Sequence, residues 1–185
     1  MPLRNSRQDY GSIARFAHWA TALFVALAWP LGMFRDVFPR GSALNADLFV
    51  HMSLGLGVIL LLVFRLAWRA LDPPPPAIRA DRFEPWLGYA AKAGHLLLYA
   101  LLIATPILGI VLQFARGQAL PVFGLFAIPS PWTMDRAFFR QIIELHQLAG
   151  DALCVVALGH AAAALFHHWA LGDRTLARML PGLAR

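Results

Sequence analysis

The chain has 185 residues, of which 59% are hydrophobic and only 14% charged, and its mean hydropathy is +0.59. A chain this short cannot bury so much apolar surface in a water-soluble core, so most of it must face lipid. The net charge of +6 comes almost wholly from arginine, Lys92 being the single lysine. No aromatic–basic pattern accompanies that charge, so nucleic acid is not its reason, and membrane topology is.

The segment from Met1 to Arg15 is polar. It leads into a first apolar stretch, about Phe16 to Phe34, that has no small-residue cleavage motif and reads as an uncleaved helix. A second stretch runs from about Phe49 to Trp68, followed by Pro73-Pro74-Pro75-Pro76, a stiff extended spacer. The third runs from about Leu87 to Leu112. The longest connection, Gln113 to Gln141, carries Pro121, Pro129, Pro131 and Trp132 and predicts a folded cap. The fourth stretch runs from about Ile142 to Ala170. Each is near the ~20 residues that cross a bilayer, and backbone groups in lipid must bond internally, so all four are helices. The expected fold is an all-α, four-helix integral membrane bundle forming one domain over residues 1–185. With the N-terminus inside, eleven basic residues fall on the inner side (among them Arg65, Arg69, Arg79, Arg82, Lys92, Arg174, Arg178 and Arg185). Five fall outside: Arg35, Arg40, Arg116, Arg136 and Arg140. Both termini are therefore expected in the cytoplasm. No internal repeat, nucleotide-binding glycine loop or serine–histidine–acid constellation is present.

Chemistry enters with the histidines. His146 and His160 are fourteen residues apart on the fourth helix, which advances it by about 21 Å and brings it ~40° short of four turns. Both imidazoles thus leave one face at two depths, and ionisable groups at membrane depth are functional candidates by default. Two stacked nitrogen ligands facing a bundle interior point to two metal centres in series, and apolar surroundings favour haem. The lone Cys154 excludes an internal disulfide and covalent c-type attachment, and itself reads as a small apolar residue packed in helix four. Depth pairs His51 with His146 in the outer third. The inner partner of His160 is His18 or His95. A porphyrin lying against a helix needs a small residue one turn past its ligand; Ala22, Gly55, Gly150 and Ala164 satisfy this after His18, His51, His146 and His160, whereas Tyr99 follows His95. The test favours His18. His95 reads as a hydrogen-bonded core residue or a polar group beside a bound quinone, and His167 and His168 as interfacial.

These residues resemble the bacterial cytochrome b561 family, four-helix membrane cytochromes of the superoxide oxidase type. The likeness rests on Arg15-Phe16-Ala17-His18-Trp19, on His51-Met52-Ser53-Leu54-Gly55 running to Arg65-Leu66, and on His95-Leu96-Leu97-Leu98-Tyr99. It continues through His146-Gln147-Leu148-Ala149-Gly150, His160 to His167, and the closing Arg178-Met179-Leu180-Pro181-Gly182. The resemblance implies two non-covalent b-type haems and electron exchange with a quinone pool in a bacterial inner membrane. Superoxide oxidation is the activity of one characterised branch. A looser likeness extends to cytochrome b subunits that anchor membrane hydrogenases and formate dehydrogenases.

The expected function is electron transfer from an outer donor, superoxide being one candidate, through His51–His146 and His18–His160 haems to ubiquinone. The alternative is a cytochrome b subunit relaying electrons between a partner dehydrogenase and quinone. A third reading is a haem-free, histidine-lined metal transporter. Haem propionates need cationic partners, for which Arg136 or Arg140 is expected at the outer haem and Arg15 or Arg174 at the inner one.

Overall fold

The computed structural model describes residues 2–37, 41–78 and 86–183. Arg40, Arg79, Arg82 and Arg185, which entered the charge argument, lie outside the described residues. Four long helices account for most of the chain: α1 (Ser12–Met33), α2 (Ser42–Leu71), α3 (Trp86–Ala115) and α4 (Arg136–Phe166), the last continued by a π turn at His167–Leu171. All four are long and apolar enough to cross a membrane. They extend beyond the expected apolar stretches by up to seven residues at an end, because first and last turns that carry polar side chains, such as Arg136 to Gln141 with its two arginines, prolong the helix. α1 packs chiefly on α2 and α3 on α4, so the bundle is two helical hairpins joined mainly through α2 and α3.

Local signals explain the ends. Asp135 caps α4, its carboxylate accepting from the N–H groups of Ala137 (2.9 Å) and Phe138 (3.1 Å), two donors that the first turn otherwise leaves bare. Gly172, at φ 68°, closes the π turn in the left-handed conformation that favours glycine. Pro30 and Pro106 sit inside α1 and α3, where each removes one backbone donor and loosens the helix locally.

The buried core is small and lies mid-bundle: Val58 and Leu62 of α2, Leu102 of α3 and Leu153 of α4, flanked by Phe24, Val25, Leu98, Tyr99 and Leu101. Leu153 is midway between His146 and His160 in sequence, so this apolar plug separates two histidine levels. The outward faces of the helices are apolar and exposed, as at Leu60, Val63, Leu148, Val155 and Leu158, the surface expected of a protein solvated by lipid.

Each end of the bundle is closed differently. At one end the two termini and the segment after α2 are tied together. Asn5 donates from its backbone to Asp72 Oδ2 (2.8 Å) and from its side chain to Asp72 O (2.9 Å). Arg174 pairs with Asp9 at 3.2 Å, Arg178 donates to Pro76 O (2.7 Å), and Trp19 Nε1 donates to Met179 O (3.1 Å). At the other end the expected cap proves to be an antiparallel β-hairpin, β1 (Leu120–Val122) with β2 (Phe126–Ile128), which the sequence reading did not anticipate. Its turn places Phe123 (φ 53°) and Gly124 (φ 74°) consecutively at positive φ, and Leu125 N–H closes it on Val122 O at 3.0 Å.

Candidate functional site

Five histidines face the interior in two groups. Near the hairpin end, His51 of α2 and His146 of α4 stand with ring centroids 6.0 Å apart and planes at 85°. Near the termini end, His18 of α1 and His160 of α4 are 6.3 Å apart with planes at 59°. His95 of α3 joins this second group, 5.2 Å from His160. The structure thus brings His51 to His146, and sets both inner candidates, His18 and His95, beside His160.

These separations test what the pairs can hold. An imidazole nitrogen bonds a first-row transition metal at about 2.0–2.1 Å and stands about 1.1 Å from its ring centroid, so imidazoles on opposite sides of one metal have centroids ~6.3 Å apart. The His51–His146 and His18–His160 distances match this; His95–His160 is about 1 Å too short for a trans pair. Among the described residues, no three histidine, cysteine or carboxylate side chains gather to hold a bare ion. A two-histidine site needs its other ligands from a macrocycle, and the donor set suits haem.

The hairpin-end pair lines a cavity of about 370 Å³ whose walls come from all four helices. Gly55 and Gly150, one turn past each ligand, line it and leave space for a flat ring system, while Gly32 and Gly109 on the adjoining helices line it where the imidazoles lie. His51 Nδ1 lies 2.9 Å from Ala28 O and His146 Nδ1 lies 3.0 Å from Thr105 O. An Nδ1–H donating to a carbonyl fixes the tautomer that leaves the Nε2 lone pair free to ligate.

Six other residues lie at the sites without having been assigned to them from the sequence. Arg35 and Arg116 line the cavity, whereas Arg136 and Arg140, expected there, do not. Neither Arg35 nor Arg116 makes an ion pair among the described residues; Arg116 lies over the Phe139 ring, and burial together with the like charge of Arg35 lowers its pKa. Trp29 Nε1 donates to Asp151 Oδ1 at 2.9 Å, joining α1 to α4 on the cavity wall at membrane depth. Near the other pair, Arg65 lies 5.7 Å over the Tyr99 ring and within electrostatic reach of His18, His95 and His160. Arg174, expected at that haem, is instead engaged by Asp9 at the surface. The signal available for Arg65 was its spacing, fourteen residues past His51 on one helix face. Asp47, one turn before His51, is buried, and neither of its carboxylate oxygens has a hydrogen-bond partner among the described residues.

His167, expected at the interface, hydrogen-bonds Asp173 through Nδ1. Burial disfavours the Asp173 carboxylate, but hydrogen bonds from His167 and Thr175 outweigh it and hold its pKa below the usual range.

A family model described as prokaryotic cytochrome b561 matches residues 9–182. The chain is 32% identical over 181 residues to Cytochrome b561 homolog 2 of Escherichia coli (strain K12), covering 97% of this chain and 95% of that protein. It is 32% identical over 174 residues to Probable superoxide oxidase CybB of Yersinia pestis, covering 94% and 97%. Cytochrome b562 of Cereibacter sphaeroides is 28% identical over 174 residues, covering 88% and 89%.

Proposed function

The chain belongs to the prokaryotic cytochrome b561 family, and from that premise we propose that it is a dihaem membrane electron carrier linking a donor at the hairpin face to ubiquinone. The observation that carries the reading is the pair of histidine couples, at 6.0 and 6.3 Å, stacked at two levels of α4. His51 with His146 would hold an outer haem b and His18 with His160 an inner one. Held by two imidazoles each, the haems would supply reversible one-electron chemistry without ligand activation.

The chain's own residues do the rest. The carbonyls of Ala28 and Thr105 orient the outer imidazoles, Gly55 and Gly150 clear space for a macrocycle, and Ala22 and Ala164 are the corresponding small residues at the inner level. Arg35 and Arg116 are the candidates to pair outer propionates, and Arg65 those of the inner haem. The plug of Val58, Leu62, Leu102 and Leu153 fills the space between the levels and excludes water.

The excess of basic residues near the termini supports a cytoplasmic position for that end and an outer position for the β-hairpin, in a bacterial inner membrane. Arg35 and Arg116, which make no ion pair among the described residues, bring positive charge to the outer cavity, which suits the superoxide anion as donor. Two superoxide anions each lose one electron to become dioxygen, and ubiquinone takes those two electrons with two protons to become ubiquinol. His95, beside His160, and Tyr99 one turn beyond it offer polar contacts for the quinone head at the inner level.

Pulse-generated superoxide mixed with purified, haem-loaded protein is the test. Fast appearance of reduced b-haem bands, decaying on addition of a ubiquinone, is expected. Haems that stay oxidised would remove superoxide as the donor.

A further inference from the structure

His51 and His146 belong to different hairpins, yet each meets its neighbouring helix in the same way. On α1 the accepting carbonyl is Ala28, with Gly32 one turn later; on α3 it is Thr105, with Gly109 one turn later. A Cβ at Gly32 would stand 3.0 Å from His51 Cε1 and 3.5 Å from its Nδ1. A Cβ at Gly109 would stand 3.1 Å from His146 Cε1 and 3.6 Å from its Nδ1. In both places the imidazole edge lies against glycine backbone while its N–H reaches the carbonyl one turn back. A proline follows each carbonyl within two residues, Pro30 and Pro106, and loosens the helix there. The repeat comprises a carbonyl, a glycine four residues on and a nearby proline, and it occurs at both outer ligands.

We infer that Gly32 and Gly109 are positioning residues, a matched pair of seats that fix the ring planes and the Nδ1–H···O bonds of His51 and His146. The inference rests on the haem reading above. An alanine methyl at 3.0–3.1 Å forces its neighbour to give by a few tenths of an ångström. The imidazole can yield only by rotating or by withdrawing from the carbonyl. Rotation changes the 85° angle between the planes. Near-perpendicular axial imidazoles leave the two iron π-type d orbitals close in energy, which gives a ferric low-spin resonance of very large maximal g value. Withdrawal weakens the Nδ1–H bond, makes Nε2 a poorer donor and raises the reduction potential.

The experiment compares purified, haem-loaded wild type with Gly32→Ala, Gly109→Ala and Gly159→Ala. The last lies on α4 between the two ligands and would meet nothing within 4 Å. Haem content, optical redox titration and ferric EPR are read, with His51→Ala identifying the outer haem's signals. The wild-type outer haem is expected to show the large-g signal. Gly32→Ala and Gly109→Ala each move it to smaller g and raise the outer potential, or lose the outer haem alone; the inner haem and the Gly159→Ala protein stay unchanged. Unaltered outer signals in both seat variants, equal loss of both haems, or a wild-type outer haem lacking the large-g signal would overturn the inference alone. Retention of both haems by His51→Ala would overturn the haem reading, and the seats with it.

Discussion

The choice between His18 and His95 is the sharpest question the inner site poses, and replacing each by alanine answers it. A trans pair on one iron needs ring centroids ~6.3 Å apart; His18–His160 stands at 6.3 Å and His95–His160 at 5.2 Å. To ligate opposite His160, His95 would have to retreat by about 1 Å, on a helix whose Leu98 and Tyr99 are packed against the core. On the proposed ligation His18→Ala would remove an iron ligand, whereas His95→Ala would remove only a ring contact. In membranes from haem-sufficient cells, the purified His18→Ala protein should carry about half the wild-type haem per polypeptide, and its reduced-minus-oxidised spectrum should keep only the outer band. His95→Ala should keep both haems, with quinone reduction slowed. A His95→Ala protein that loses one haem while His18→Ala keeps both would refute the distance argument and reassign the inner site.

Gly57→Ala would drive a methyl to 2.4 Å from the Phe24 ring at the α1–α2 contact; overpacking of this kind costs about 1–3 kcal/mol, seen as a lower unfolding temperature in detergent with haem spectra intact. Arg65→Gln withdraws a positive charge from the inner histidines, so the inner potential should fall by roughly 60 mV, one tenfold step for a one-electron couple, in a redox titration that leaves the outer potential in place. Trp29→Phe breaks the bond to Asp151 and should lower stability by about 1 kcal/mol, the scale of a hydrogen bond between membrane helices, measured as faster unfolding in a denaturing detergent. Asp173 has its pKa lowered in the folded protein, so its contribution is fully present above the ordinary carboxylate pKa and is lost as pH falls through the lower folded value. Acid unfolding of the C-terminal segment, followed by limited proteolysis, should accordingly lose part of its pH dependence in Asp173→Asn.

The four helices were legible because apolar runs in lipid have one low-energy backbone solution. Their ends were less so: Arg136 to Gln141 mixes Arg136, Arg140 and Gln141 with apolar residues and breaks the hydropathy run, yet the helix that Asp135 caps includes it. The β-hairpin of Leu120 to Ile128 escaped because strands of three residues carry too little alternation to read. Helix geometry sorted the histidines into two levels, since depth and the fourteen-residue spacing act within single helices; the preference for His18 over His95 came from the small residue one turn past it. The arginines were not legible in this way. Arg35 and Arg116 reach the cavity through the way helix ends turn at the bundle mouth, and Arg174 is drawn off by Asp9. Such partnerships are decided between elements, where one-dimensional spacing carries no information. Asp151 was passed over for a similar reason: its indole partner Trp29 is 122 residues away.

The two-hairpin construction has a bearing on biogenesis. Each hairpin already aims its own outer imidazole, through Ala28 or Thr105, yet neither holds a complete iron site. Both proposed irons would draw one axial nitrogen from the first hairpin and one from the second, rivets set at two heights through the same seam. Newly inserted chain would then wait half-zipped until porphyrin arrives, with its seam open to proteases. In cells starved of haem this cytochrome should be cleared rather than stored.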